Sequence, residues 1–137
     1  MLRIGKMTDY AFIILNALAE RPCKPMSAQA ISNLTKLPDP TVSKIMKILS
    51  KGGLVSSTRG ASGGYKIIKS GDQLSLLEVV EAMEGKVTLV ECVDQTHNCS
   101  IRDNCNVHGS WNGVNQILRN TLAGCSLEDL KQGRANV

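Results

Sequence analysis

Prolines at positions 22, 25, 38 and 40, followed by the pair Gly52-Gly53, cut the first fifty residues into three segments, each long enough for one short helix. Proline lacks a backbone donor and clashes with the preceding helical turn, so no segment can run on into the next. In the first segment, Thr8-Asp9-Tyr10 opens a helical pattern with Ala11, Ile14, Leu15 and Leu18 at i, i+3, i+4 and i+7. Ser27 is a suitable N-cap for the second, with Ala30, Ile31 and Leu34 facing inward. Asp39-Pro40 reads as an N-cap followed by proline at the first helical position. Val42, Ile45, Met46 and Leu49 then form the buried stripe of the third helix, and Thr41, Ser43, Lys44, Lys47 and Lys51 its free face. Aromatic residues make up only 3%, so the core these helices share must be aliphatic.

After Gly53, two β-prone runs, Leu54–Thr58 and Tyr65–Ile68, flank the glycine-rich turn Arg59-Gly60-Ala61-Ser62-Gly63-Gly64, which predicts a hairpin. Ser75 and Glu78 form a capping box ahead of Leu76, Val79, Val80 and Met83. Residues 91–109 read as a polar, cysteine-bearing loop. From about Ser110 a longer helix is predicted, with Trp111, Val114, Ile117, Leu118 and Leu122 as its apolar stripe and Gly124 as its end. The fold class expected is mainly α with a small β-hairpin: a winged helix-turn-helix head over residues 1–70, and a second part over 71–137.

The formal charge divides at the same place. Residues 1–70 hold 11 Lys/Arg against 3 Asp/Glu, and residues 71–137 hold 5 against 9. An excess of cations confined to the head points to a polyanion partner for that half alone. A recognition helix must bury one face and offer short polar or basic side chains to the major groove, which assigns DNA contact to Thr41, Ser43, Lys44 and Lys47. A wing needs a cation at its tip and glycines that let the backbone approach phosphate, which adds Arg59, Gly60 and Ser62. Either feature alone is weak, because lysines on one helix face are commonly just solvated. The turn also lacks the Lys-Ser/Thr ending of a phosphate-binding loop. Together, in this order and within the basic half, they predict double-stranded DNA as the partner.

Cys92, Cys99, Cys105 and His108 are spaced C-x6-C-x5-C-x2-H, and three of the five cysteines fall within 14 residues. Thiolates are soft anionic donors for iron or zinc, and imidazole adds a nitrogen donor to either. The lack of a C-x2-C corner favours an iron–sulfur cluster over structural zinc, with reduced or redox-switching thiols as the third possibility. His97 reads as a surface loop residue, and Cys23 and Cys125 as bystanders. An odd cysteine count and a charged start after Met1 predict a reducing cytoplasm. No apolar run is long enough to span a membrane. No C-x-x-C pair or Ser-His-Asp arrangement supports an enzyme or a small-molecule substrate.

These motifs together resemble the IscR/NsrR family of bacterial winged-helix transcription regulators, over nearly the whole chain. The resemblance rests on Lys6-Met7-Thr8-Asp9-Tyr10-Ala11, on the wing run Gly53–Tyr65, on the capped helix Ser75–Gly85, and on the three cysteines, His108 and Trp111. Within that family the chain is most similar to regulators of the SUF iron–sulfur assembly operon. The resemblance implies a cluster-sensing repressor of such genes and a homodimer that reads a pseudo-palindromic operator. Residues 110–123 would be its dimerisation helix. It also implies a cluster on Cys92, Cys99 and Cys105. His108 matches the fourth ligand of the [2Fe–2S] branch, which is preferred, and Asp9 that of the [4Fe–4S] branch. The alternative is a zinc-stabilised or thiol-switch winged-helix protein without a cluster.

Overall fold

A computed structural model describes residues 2–94 and 98–133. Helix α1 (Lys6–Ala19) buries Ala11, Ile14, Leu15 and Leu18. Helix α2 (Ala28–Thr35) starts where Ser27 Oγ accepts the Ala30 N–H at 3.1 Å, as its cap position predicts. The turn to α3 (Asp39–Lys51) is tight: Lys36 takes the left-handed conformation at φ 65°, and Ser32 Oγ donates to the Leu37 carbonyl. Val42, Ile45, Met46 and Leu49 of α3 are all 0% exposed, the stripe read from the sequence. Two details differ. Leu34 faces solvent at 45% exposure, and of the residues expected inward on α2 only Ile31 is fully buried. Helix α3 begins one residue early, with Pro38 in the N-cap position and Asp39 already helical, so Asp39 makes no side-chain cap.

Strands β1 (Val55–Thr58) and β2 (Gly64–Ile67) pair antiparallel, Val55 opposite Ile67 and Thr58 opposite Gly64. A one-residue third strand joins them. Met26 and Tyr65 exchange both backbone hydrogen bonds, N–H to O at 2.9 and 2.7 Å, which ties β2 to the segment leading into α2. The closeness of this crossing explains the glycine at 64. A Cβ there would lie 2.5 Å from the Met26 carbonyl, and its φ of +151° disfavours any side chain.

Helix α4 (Leu76–Glu84) opens on the expected capping box, with Ser75 Oγ accepting the Glu78 N–H and the Glu78 carboxylate accepting the Ser75 N–H. Leu74, Val79 and Val80 enter the same buried cluster as α1–α3. Helix α5 (His108–Gly124) runs 17 residues and starts two residues before the predicted Ser110, so His108 belongs to the helix rather than to the loop. A last helix, α6 (Leu127–Lys131), has a capping box of its own on Ser126 and Asp129 and buries Leu127 completely. Ser75 and Ser126 form a β-bridge, so α4 and α6 start from one shared point. No helix among the described residues is long and apolar enough to cross a membrane.

Partial burial alone would raise the Glu78 carboxyl. The Lys69 ammonium and the N–H and hydroxyl of Ser75 outweigh it and hold the group below its ordinary 4.5. A depressed carboxylate stabilises the fold above its unfolded value and loses that contribution as pH falls through the folded one. Thermal unfolding followed from neutral into acid solution should therefore show less acid-induced loss in Glu78→Gln than in the wild type, because glutamine keeps an acceptor for the cap but does not titrate. Gly64→Ala should destabilise the chain by about 1–3 kcal/mol in denaturant unfolding, since the clash is with backbone that cannot move aside.

Candidate nucleic-acid interface and cysteine loop

With the apolar face of α3 fully buried, the opposite side is fixed outward. Lys44 and Lys47 are exposed, and Thr41 and Ser43 are half-buried beside them. The turn between β1 and β2 carries Arg59, Gly60 and Ser62, all exposed. Gly60 has a φ of +105°, which lets the tip reverse without strain. Gly63 sits so close that a Cβ would fall 2.3 Å from the Thr58 carbonyl, so the tip folds flat onto its own strand. No described residue forms an ion pair with Lys44, Lys47, Lys51, Arg59 or Lys66. Cations left without intramolecular partners keep their full attraction for phosphate.

The cysteine loop lies between α4 and α5. Cys92 is in a single 3₁₀ turn (Glu91–Val93), and Cys105 directly follows a second one (Arg102–Asn104). Cys99 accepts the Arg102 N–H on its carbonyl at 3.3 Å. All three thiols are half-buried and none is in a disulfide. His108, the first residue of α5, has a buried Nδ1 with no hydrogen-bond partner. A buried ring nitrogen with nothing to bond is costly unless a ligand meets it. The structure does not gather the four: among the described residues, no group of three or more His, Cys, Asp or Glu stands together as a ready metal site. Asp9 is on the first turn of α1, where it lines a cavity with Arg3, Phe12, Val80 and Leu122 that none of the cysteines reaches. His97, expected as a surface loop residue, lies outside the described residues. Cys23 is exposed and Cys125 buried, both away from the loop.

Sequence reasoning missed the residues that tie this loop to the head. Asn115, 4% exposed on α5, accepts the Leu89 N–H at 2.8 Å and donates to the Val87 carbonyl at 3.2 Å. Arg119 of α5 pairs with Glu81 of α4, whose carboxylate also accepts the Val87 N–H. At the far end of α4, the Glu84 carboxylate accepts the Thr8 hydroxyl at 2.7 Å and the Gly5 N–H at 3.3 Å, fixing the start of α1. Partners this far apart in the chain leave no local spacing to read. Only a polar residue within the otherwise apolar register of α5 hints at Asn115.

A family model for Rrf2, described as an iron-dependent transcriptional regulator, matches residues 4–133. A protein of Aquifex aeolicus, named among helix-turn-helix-type transcriptional regulators, is 30% identical over 123 residues, covering 88% of this chain and 85% of its own. The helix-turn-helix-type regulator NsrR of Shouchella clausii is 26% identical over 131 residues, 94% of this chain and 88% of that one. The solved structure of CymR, the global cysteine regulator of B. subtilis, is similar at a TM-score of 0.72 and 26% identity, over 97% of this chain and 98% of that one.

Replacing Arg59 with Ala should weaken binding to duplex DNA by about 1–3 kcal/mol, the range for a side chain that reads a base or a narrow groove. Fluorescence anisotropy at fixed salt checks it, and unchanged affinity would remove the wing from the interface.

Proposed function

The chain belongs to the Rrf2 family of transcriptional regulators, and from that premise we propose that it is a homodimeric, cluster-sensing repressor of iron–sulfur assembly genes. That it is a DNA-binding regulator, not an enzyme, follows from the family. The finer reading rests on one observation: three undisulfided, half-buried thiols followed, three residues on, by a buried imidazole nitrogen with no partner. This donor set suits an iron–sulfur cluster. Cys92, Cys99 and Cys105 would hold it through thiolates and His108 through nitrogen, which favours [2Fe–2S]. Asp9, which lines a separate cavity, is the alternative fourth ligand and would go with [4Fe–4S]. When bound, such a cluster supplies a centre that oxidants, nitric oxide or iron shortage remove.

The chain's own residues account for how the loop's state reaches DNA. Asn115 grips the segment just ahead of Cys92, and the Arg119–Glu81 pair carries its position to α4. Helix α4 holds the start of α1 through Glu84. Two arrangements of the loop would thus be two settings of α4 and α5 against the head, which is what differential operator affinity requires. Dimerisation is supported by α5. Trp111, Val114 and Ile117 are 39, 47 and 66% exposed at i, i+3 and i+6, an apolar strip that a second copy of this helix would cover. Paired heads would read a pseudo-palindrome in the cytoplasm.

A second reading, a thiol switch or zinc site without a cluster, is favoured by the likeness to a cysteine regulator and by the free state of all three thiols. Anaerobic reconstitution with iron and sulfide separates the two. The proposed function expects a brown protein whose Mössbauer or resonance Raman signature changes in His108→Ala and not in Asp9→Ala. Any one of the three loop cysteines changed to Ala should lose the colour. A change in Asp9→Ala alone would move the fourth ligand there, and a colourless protein with stoichiometric zinc would sink the cluster.

A further inference from the structure

A cleft of about 660 Å³ separates the segment between α1 and α2 from the wing. Arg21 and Lys24 stand on one wall, and Ala61, Ser62 and Gly63 of the wing turn form the other. Both cations are exposed and have no ion-pair partner among the described residues. Glu20, the acid beside Arg21 in the chain, is taken by Lys131 of α6 at 3.1 Å. Among the described residues, no carboxylate lines the cleft. Its floor is firm, because the double backbone hydrogen bond between Met26 and Tyr65 closes the base and Gly64 permits that approach.

We propose that this cleft seats the phosphate backbone of one DNA strand, with Arg21 and Lys24 as phosphate-contacting residues outside the helix-turn-helix and wing tip. The inference rests on the DNA-binding reading and extends it. Two cations facing small wing residues, among them the Ser62 hydroxyl, suit an anion, and Arg, Lys, serine hydroxyls and backbone N–H groups are the usual phosphate partners. The occupant is a duplex strand rather than a free anion because one wall is the wing turn itself, which carries Arg59 only two residues before Ala61. A strand that meets Arg59 continues along this wall. Such contacts position the protein without reading sequence, so they act on any duplex.

The probe is a mixed-sequence duplex, its affinity measured by anisotropy over a range of salt for the wild type, Arg21→Ala, Lys24→Ala and, as a control of equal charge change, Lys86→Ala. Each of the two cleft variants should lower the slope of log affinity against log salt by about 1 per protomer and weaken binding alike for all sequences. Lys86→Ala should leave the slope unchanged. Cys23, exposed between the two cations, supplies a second readout in the unmutated chain. Bound duplex should slow its alkylation, followed by peptide mass spectrometry, and inorganic phosphate at matched ionic strength should not. Unchanged slopes in both cleft variants, equal slope loss in Lys86→Ala, an unprotected Cys23, or protection by phosphate alone would each overturn the cleft while leaving DNA binding intact. A wild type with no affinity for the duplex at low salt would overturn both.

Discussion

Two backbone hydrogen bonds between Met26 and Tyr65 set the frame for everything this chain presents to a nucleic acid. A two-stranded hairpin is marginal by itself and would wander relative to the helices. Pairing Tyr65 with the residue just ahead of α2 makes wing and helix-turn-helix one rigid body, and the buried pair Val55 and Ile67 seals it to the core. The cost falls on sequence. Gly64 must stay a glycine, since the Met26 carbonyl occupies the space where a side chain would go. The wing's position is therefore decided by backbone, while Arg59 and Ser62 at its tip stay exposed.

The acidic half works through polar ties instead of a core of its own. Leu74, Val79, Val80 and Leu127 join the cluster built by α1–α3, while Asn115, Glu81, Arg119 and Glu84 run from the cysteine segment through α4 to the first turn of α1. Buried or half-buried hydrogen bonds of this kind are geometrically exacting, because a small displacement strands a donor or acceptor. Apolar packing tolerates sliding better. Under the proposed sensing role, ties of the first kind suit a route from the cysteine loop to a distant face.

What could be read in the sequence was local. The stripe of α3, the hairpin and the Ser75–Glu78 box each depend on residues within a few positions, and all are present. Boundaries failed where signals competed. Asn106 and Gly109, poor helix formers, flank the start of α5 at His108, and after the break at Gly124 Ser126 and Asp129 cap α6 in the same way as Ser75 and Glu78 cap α4. Met26 as a strand had no pattern at all, since one residue cannot alternate. The types and spacing of Cys92, Cys99, Cys105 and His108 point to a donor set, but the structure brings no three of them together among the described residues. How they would be brought together is a matter of tertiary contact, and no spacing rule encodes it.

The shared origin of α4 and α6 has a mechanical meaning. The Leu76 N–H bonds the Cys125 carbonyl at 2.9 Å and the Leu127 N–H bonds the Leu74 carbonyl at 2.8 Å, so the C-terminal end of α5 is pinned to the head. At a rise of 1.5 Å per residue, its 17 residues make a rod about 25 Å long. A rod held mainly toward one end moves most at the other, and here that other end is His108, beyond the ties that Asn115 makes to Val87 and Leu89 and Arg119 makes to Glu81. A tilt of about 5° at the pin displaces the histidine by roughly 2 Å, given that length. Conversely, holding the histidine still removes that freedom from the whole helix. The cysteine loop thus sits at the long arm of a lever whose fulcrum is a pair of main-chain bonds, where a small force has the greatest purchase on the angle of α5.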